Sequence, residues 1–401
     1  MAASLAQNTP TKQSTSLPID TKESTFYCDI SGILAQFSDI FAEALNGSTM
    51  KIAPATIEVY DPVPIVCKLR KHSKEELNET SKQISRLLRN RIIENSNSSY
   101  SSNCRMVPKK NGKYRMIINY IPINSVTVRD EYPLPLIDDI FGCLSGNKFF
   151  STLDATEGFH QIKIDKDSRH YTAFSTPLGL FQYRTLPFGL TNSPAIFQRA
   201  MNQAFGGGLY KRCAVYVDDI VVFGKTIEEH NNNLTWVLER CRRFNIKINP
   251  TKCCYMQSKV NFLGREVSEL GVGYSRKELG ILNGLGTPKN KAEVRGILGS
   301  LQFISKYVSN YSELSKPLVD LTCKEKSFEW NEVHQEALSE ILKRLEEAKP
   351  QSWTKKEDPK IIEIHVLPQS IEAVCSDSEN KFIDRVSRLL SETEKNYCWR
   401  A

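Results

Sequence analysis

The sequence predicts an α+β fold built on antiparallel strands, and three observations carry that prediction. An apolar, β-branched run from Cys213 to Gly224 is interrupted by a single acid pair, Asp218-Asp219. Val and Ile suit a pleated, half-buried surface, so the flanks read as strands and the acids as the turn between them. A second apolar, extended segment, Phe149 to Asp154, also runs into a carboxylate. On either side of these segments lie stretches with apolar residues at helical spacing, Lys74 to Glu94 and Glu229 to Phe244 among them. Asp in a turn is ordinary, whereas buried unpaired charge is costly. The pair is therefore either a surface turn or a cation site.

Taken in order, residues 1–26 are rich in Ser, Thr, Gln and Lys and read as a disordered tail. Ile30 to Leu45 spaces Ile33-Leu34, Phe37, Ile40-Phe41 and Leu45 as an amphipathic helix. In Lys74 to Glu94, Leu77, Ile84, Leu87-Leu88 and Ile92 form one face, and Asn95 to Asn103 is a turn-rich loop. Val107 to Ile118 predicts a hairpin turning at Asn111-Gly112. Its cations, Lys109, Lys110, Lys113 and Arg115, read by themselves as guards of a sheet edge. Asp138-Asp139 follows Pro135 at a helix start, where acids complement the helix dipole, and reads as structural. Ser193-Pro194 fits an N-cap followed by Pro at the first helical position. Phe197, Met201 and Phe205 make that helix's apolar face, and the glycines at 206–208 end it. Leu234, Val237-Leu238 and Cys241 turn the next helix inward. From Lys289, the spacing of Val294, Ile297-Leu298, Leu301, Ile304 and Val308 predicts one helix, and Glu332 to Leu345 another.

Composition narrows the class. With 401 residues, 40% hydrophobic and 25% charged, the chain reads as soluble and globular. Its net charge of +7 suits a polyanionic partner, or simply a solvated surface. The 11 cysteines include no Cys-x-x-Cys and no neighbouring His to complete a zinc pattern. Free thiols in a reducing compartment follow. No apolar signal core or bilayer-length run is present, so an intracellular, cytoplasmic protein with access to the nucleus and no membrane partner is expected.

Several motifs together resemble a known family. Tyr216-Val217-Asp218-Asp219 resembles the catalytic box of reverse transcriptases. Leu153-Asp154-Ala155-Thr156-Glu157-Gly158-Phe159-His160-Gln161-Ile162 is similar to their first palm motif, and Leu186 to Gln198 to their second. Asn249-Pro250-Thr251-Lys252-Cys253 resembles the fourth, and Phe262-Leu263-Gly264 the primer grip. In order and spacing, residues 30–345 resemble the polymerase of gypsy-type LTR retrotransposons, part of a Pol polyprotein.

That resemblance implies a right-hand polymerase with an antiparallel palm sheet. Residues 27–150 would form the lead-in helix and fingers, interleaved with the palm. Residues 151–270 would form the palm, 271–327 the thumb, and 328–401 an incomplete ribonuclease H-like segment. The implied activity is RNA-directed DNA synthesis from dNTPs on an RNA template with a DNA primer, with DNA templates also copied. The partner is then an RNA–DNA hybrid, held through its backbone and weakened by salt, and a homodimer is compatible. Asp154, Asp218 and Asp219 would be the catalytic acids, and with the Ala155 carbonyl would hold two Mg²⁺, Mn²⁺ being a substitute. Such paired ions sit about 3.5–4 Å apart and want hard oxygen ligands. Lys110 and Arg115 would pair with the triphosphate, and Phe159 would be the steric gate against a ribose 2′-hydroxyl. Gln161, Phe188 and Gly189 would line the nucleotide pocket, with Lys252 as proton donor to pyrophosphate. Asn119 and Ile121 depart from the family's usual Asp and Arg.

Beyond Pro350 the resemblance weakens. His365 stands where the family's ribonuclease H segment has its first catalytic Asp, and Ala401 where the second acid belongs. Ribonuclease H activity is therefore expected to be absent, and the chain reads as a piece of a longer polyprotein. The competing expectation is a non-catalytic, nucleic-acid-binding remnant.

Overall fold

The computed structural model describes residues 27–108, 114–274, 280, 284, 286–302, 304–323, 327–353, 359–391 and 393–394. The tail 1–26, the Asn111-Gly112 turn and Lys110 lie outside them. The first elements are helices α1 (Tyr27–Gln36) and α2 (Lys74–Arg89), then strands β1 (Ile93–Asn95), β2 (Ser102–Pro108) and β3 (Tyr114–Ile118). Short helix α3 (Ile121–Asn124) and helix α4 (Ile137–Leu144) lead to strands β4 (Phe149–Asp154), β5 (Phe174–Thr176) and β6 (Gly179–Tyr183). Helix α5 (Ser193–Phe205), the hairpin β7 (Cys213–Tyr216) and β8 (Asp219–Gly224), and helix α6 (Ile227–Phe244) follow. Next come β9 (Cys254–Gln257), β10 (Lys259–Phe262), β11 (Arg265–Ser268) and β12 (Gly271–Tyr274). Three more helices, Lys291–Gln302, Tyr311–Leu321 and Glu332–Glu346, precede β13 (Lys360–Val366), β14 (Ser370–Asp377) and β15 (Phe382–Leu389).

These elements divide into two compact units. The first comprises Met1–Pro133, Leu153–Gly206 and Thr235–Tyr255, and the second the remainder. In the first unit a five-stranded sheet has the order β1-β6-β5-β2-β3, antiparallel except where β2 meets β5. Its core joins Ile84 and Leu87 of α2 to Cys104, Ile118, Phe174, Phe181 and Tyr183 of the sheet. α2 starts at a capping box in which Ser73 Oγ accepts from the Glu76 N–H and the Glu76 carboxylate accepts from the Ser73 N–H.

The second unit contains the antiparallel β7–β8 hairpin. Phe150, Ala214, Val221 and Phe223 pack there with Ile140, Phe141 and Leu144 of α4 and with Val260, Phe262 and Val267 of the small sheet β10-β11-β12. Gly224 is required by close approach, since a Cβ would lie 2.5 Å from the His230 backbone nitrogen. A separate core gathers Val294, Ile297, Leu301, Leu318, Ile341 and Leu345 from the three later helices.

Most expected elements form, with shifted ends. The helix expected over Ile30 to Leu45 stops at Gln36, continues as a 3₁₀ turn over Ser38–Ile40, and gives Phe41 to a bridge with Ile248. A backbone already paired to another strand is not available for helical bonds. The helix expected to Glu94 ends at Arg89, because Arg91 adopts a left-handed conformation (φ 54°) and Ile93 pairs with Tyr183. At α5 the cap is Asn192, and Ser193 Oγ donates instead to the Pro187 carbonyl. The helix expected from Lys289 through Val308 ends at Gln302, and a 3₁₀ turn follows at Ser305–Tyr307. By contrast, Phe197, Met201 and Phe205 are fully buried, as are Leu234, Val237, Leu238 and Cys241. No helix among the described residues is long and apolar enough to cross a membrane.

Leu318→Ala in the helical core should cost about 2–5 kcal/mol in urea unfolding. Ile362→Ser on exposed β13 should change stability by less than about 0.5 kcal/mol. Equal effects would contradict the burial described.

Candidate active site

In the first unit β4 ends on Asp154, and the chain beyond it is tied to the segment 246–249. The Asp154 carbonyl accepts from Asn249 N–H at 2.9 Å, Ala155 bridges Ile248, and Thr156 N–H donates to the Lys247 carbonyl at 2.9 Å. The Gln161 amide locks this pairing. Its Nε2 donates to the carbonyls of Thr156 (2.9 Å) and Lys247 (2.8 Å), and its Oε1 accepts from Lys247 N–H (2.8 Å). Gln161 is only 1% exposed. Its expected place on the pocket wall is therefore corrected: every polar atom of its side chain is bonded to backbone, and it positions the turn from beneath. Segment 246–249 leads into a 3₁₀ turn, Pro250–Lys252, whose start is fixed by Asn249 Oδ1 accepting from Thr251 N–H. Lys252 Nζ then lies 3.1 and 3.2 Å from the two oxygens of the Asp154 carboxylate.

Beside this ion pair opens a cleft of about 1200 Å³, still within the first unit. Arg115, Phe188, Gly189 and Lys252, four of the residues expected at the nucleotide, line it together. Arg115 projects from β3 opposite Val107. Gly189 has φ 94°, a backbone that side chains strain to adopt, and a Cβ there would meet the Tyr120 ring at 3.5 Å. Phe159 is buried beneath the cleft, its ring 4.8 Å from Phe188 and 5.4 Å from Phe197 between centroids. His160 stacks on Tyr183, and its Nδ1 lies 3.1 Å from the Leu186 carbonyl. A carbonyl only accepts, so Nδ1 carries the proton.

Two wall residues escaped the sequence reading. Glu157 adopts a left-handed conformation (φ 46°), and its Oε1 lies 3.3 Å from Arg86 Nη1 on α2. Both line the cleft. Seventy-one residues separate them, and no one-dimensional spacing links such positions. The one available signal was Glu157's place inside the first palm motif.

In the second unit Tyr216 pairs with Asp219, leaving Val217 and Asp218 as a two-residue loop between β7 and β8. Val217 has φ 51°, a conformation hairpins of this length normally give to Gly. A β-branched residue there stores roughly 1–3 kcal/mol of strain. Asp219 is exposed and Asp218 half-buried. In the same unit Phe262 pairs with Arg265, and Leu263 (φ 49°) and Gly264 (φ 76°) form a tight turn between them.

The donor set suits a hard cation, since every expected ligand is an oxygen. A positive charge already sits on Asp154, supplied by Lys252. Among the described residues no group of three or more His, Cys, Asp or Glu could hold a metal ion alone. Mg²⁺ usually binds through one or two carboxylates completed by water and substrate phosphates, so Asp154 in the first unit and Asp218-Asp219 in the second are each donors of the kind it takes.

Residues 107–267, which include all three acids, match the reverse transcriptase (RNA-dependent DNA polymerase) family. The chain is related to retrotransposon Pol polyproteins. It is 32% identical over 327 residues to the retrovirus-related Pol polyprotein from transposon 412 of Drosophila melanogaster, covering 80% of this chain and 26% of that protein. The corresponding polyprotein from transposon opus is 36% identical over 299 residues, covering 73% and 30%. The transposon Tf2-3 polyprotein of Schizosaccharomyces pombe is 32% identical over 263 residues, covering 66% and 20%. The chain thus spans less than a third of these relatives' length. The fold matches the foamy viral protease-reverse transcriptase in complex with double-stranded DNA, with TM-score 0.85 and 24% identity over 94% of this chain and 79% of that one. The same protein with an RNA/DNA hybrid gives 0.83, covering 94% and 51%. The fold is accordingly α+β, that of right-hand polymerases.

Gln161→Leu should destabilise the protein by at least about 2 kcal/mol in urea unfolding, because the Thr156 carbonyl and Lys247 N–H lose their partner. An unchanged midpoint would contradict the clamp. Burial pushes the His160 ring down to about 4 from an ordinary 6.5. The unfolded chain therefore binds more protons between those values, and stability, intact above pH 6.5, should fall as pH drops toward about 4. His230, also buried and pushed down to about 4, acts in the same direction. His160→Gln should flatten the slope by roughly 3 kcal/mol at most, read from unfolding at stepped pH.

Proposed function

We propose that the chain is an RNA-directed DNA polymerase of a gypsy-type element, extending a DNA primer with dNTPs on RNA and on DNA templates. The observation that carries this reading is the family match over residues 107–267, within which Asp154, Asp218 and Asp219 keep their motif positions. The cleft holding Arg115, Phe188, Gly189 and Lys252 supports it independently, as a pocket lined by cations and aromatic rings.

In this reading Asp154, Asp218 and Asp219, with the Ala155 carbonyl, would hold two Mg²⁺, which would supply Lewis-acid activation at the primer 3′-hydroxyl and charge neutralisation at the pyrophosphate. The Arg115 guanidinium donates to the triphosphate, its planar fork matching phosphate oxygens. Phe188 and Gly189 flank the nucleotide. Phe159, braced by Phe188 and Phe197, closes the space a 2′-hydroxyl would need. Lys252 Nζ gives a proton to the leaving pyrophosphate. The turn at Leu263-Gly264, with Phe262, guides the primer end. Residues 27–150 act as lead-in and fingers, 151–270 as palm and 271–327 as thumb. The segment 328–401 is assigned no ribonuclease H activity, because a ring nitrogen, His365, stands where a carboxylate is required.

Primer extension on an RNA template with dNTPs and Mg²⁺ tests the proposal. The wild-type protein should extend, and Asp218→Asn should lose more than about 100-fold, since disturbing an outer-shell partner of a metal already costs roughly 10–100-fold. Extension by both proteins removes Asp218 from the chemistry. Extension by neither leaves nucleic-acid binding without catalysis. In the same assay Phe159→Ala should admit rNTPs that the wild type rejects.

A further inference from the structure

We infer that Lys252 is the resident cation of Asp154: it holds that carboxylate in the metal-free protein, yields it to a divalent ion, and passes to the nucleotide's phosphates. The inference rests on reading Asp154 as a metal ligand. One ammonium engages both oxygens, at 3.1 and 3.2 Å, so a hard cation taking either oxygen competes with it directly.

The root of Lys252 is fixed, and its head is exposed. Asn249 ties the segment to the Asp154 carbonyl through its own N–H and caps the turn that carries Lys252. The lysine side chain is nonetheless 60% exposed, against 23% for Asp154. A flexible four-carbon stem with three rotatable donors can leave such a partner without any change of backbone. A released ammonium has a destination, because Lys252 lines the same cleft as Arg115 and Arg86. Phosphate oxygens entering there would replace the lost carboxylate.

The consequence is a coupling between metal and nucleotide. Metal alone must displace Lys252 into water. Metal arriving with a nucleotide exchanges one anionic partner for another. Neutralising Lys252 should therefore have effects of opposite sign in the two cases, which a merely structural lysine would not produce. Exposed ion pairs are weak, so metal binding to the free protein should tighten only roughly two- to fivefold.

The test is Mn²⁺ binding followed by electron paramagnetic resonance, for the full chain alone and with dATP. Wild type, Lys252→Met, Lys252→Gln and Asp154→Asn are compared. Lys252→Met should bind Mn²⁺ more tightly than wild type without nucleotide and less tightly with it, and Lys252→Gln, which keeps donors but no charge, should lie between. Asp154→Asn should lose binding in both conditions. If Asp154→Asn loses binding while both lysine variants match wild type, or shift the same way with and without dATP, the hand-over is wrong and the metal site stands. If Asp154→Asn binds as wild type does, the metal-site reading fails and takes the hand-over with it.

Discussion

The geometry of the first unit depends on one buried amide. Gln161 satisfies its donors and its acceptor on the backbone of two segments, reaching 86 residues ahead to Lys247. An amide with all its bonds made holds two strands in one register, and a slip of a single residue would reverse every side chain on the slipped strand. With the register held, Asn249 meets the Asp154 carbonyl, and the turn after it delivers Lys252 to the Asp154 carboxylate. The position of a lysine near the end of the first unit is thus set by a glutamine close to its middle.

Backbone strain collects beside the acids. Glu157, three residues past Asp154, and Val217, immediately before Asp218, both have positive φ. Neither is a residue type that favours this conformation, and a β-branched side chain tolerates it least. Local strain of this kind persists where the surrounding structure over-determines it. Around Glu157 the over-determination is visible as the Gln161 clamp, the Thr156 hydroxyl bonded to the Ala42 carbonyl, and the Arg86 ion pair. Around Val217 it is the ladder of β7 and β8, whose residues Ala214, Ile220, Val221 and Val222 are fully buried.

The cleft separates two kinds of chemistry. Its floor is aromatic and tightly packed, with Phe159 against Phe188 and Phe197, and a neutral His160 stacked on Tyr183. Its walls carry cations that are either solvated or paired to acids, Arg86 with Glu157 and Lys252 with Asp154. Burying a histidine is affordable because the ring is neutral and its one N–H is satisfied. The cations remain at the rim, where water screens them and a polyanion can reach them.

By itself the sequence determined the α+β class, the strand–acid–strand pattern at Asp218-Asp219, and the apolar faces of α5 and α6, all properties that repeat along the chain with the periods of strand and helix. It also marked Asp154, Arg115, Phe188, Gly189 and Lys252, because their residue types sit in motifs with fixed local spacing. Only the tertiary structure decided that Gln161 is a clamp and not a pocket wall, that Arg86 meets Glu157, and that Lys252 rests on Asp154. The ends of α1 and α2 were decided there too, where Phe41 and Ile93 are drawn into pairing with Ile248 and Tyr183. In each case the deciding partner lies dozens of residues away. Local periodicity reports which face of an element is buried, but not which distant backbone group will take its hydrogen bonds.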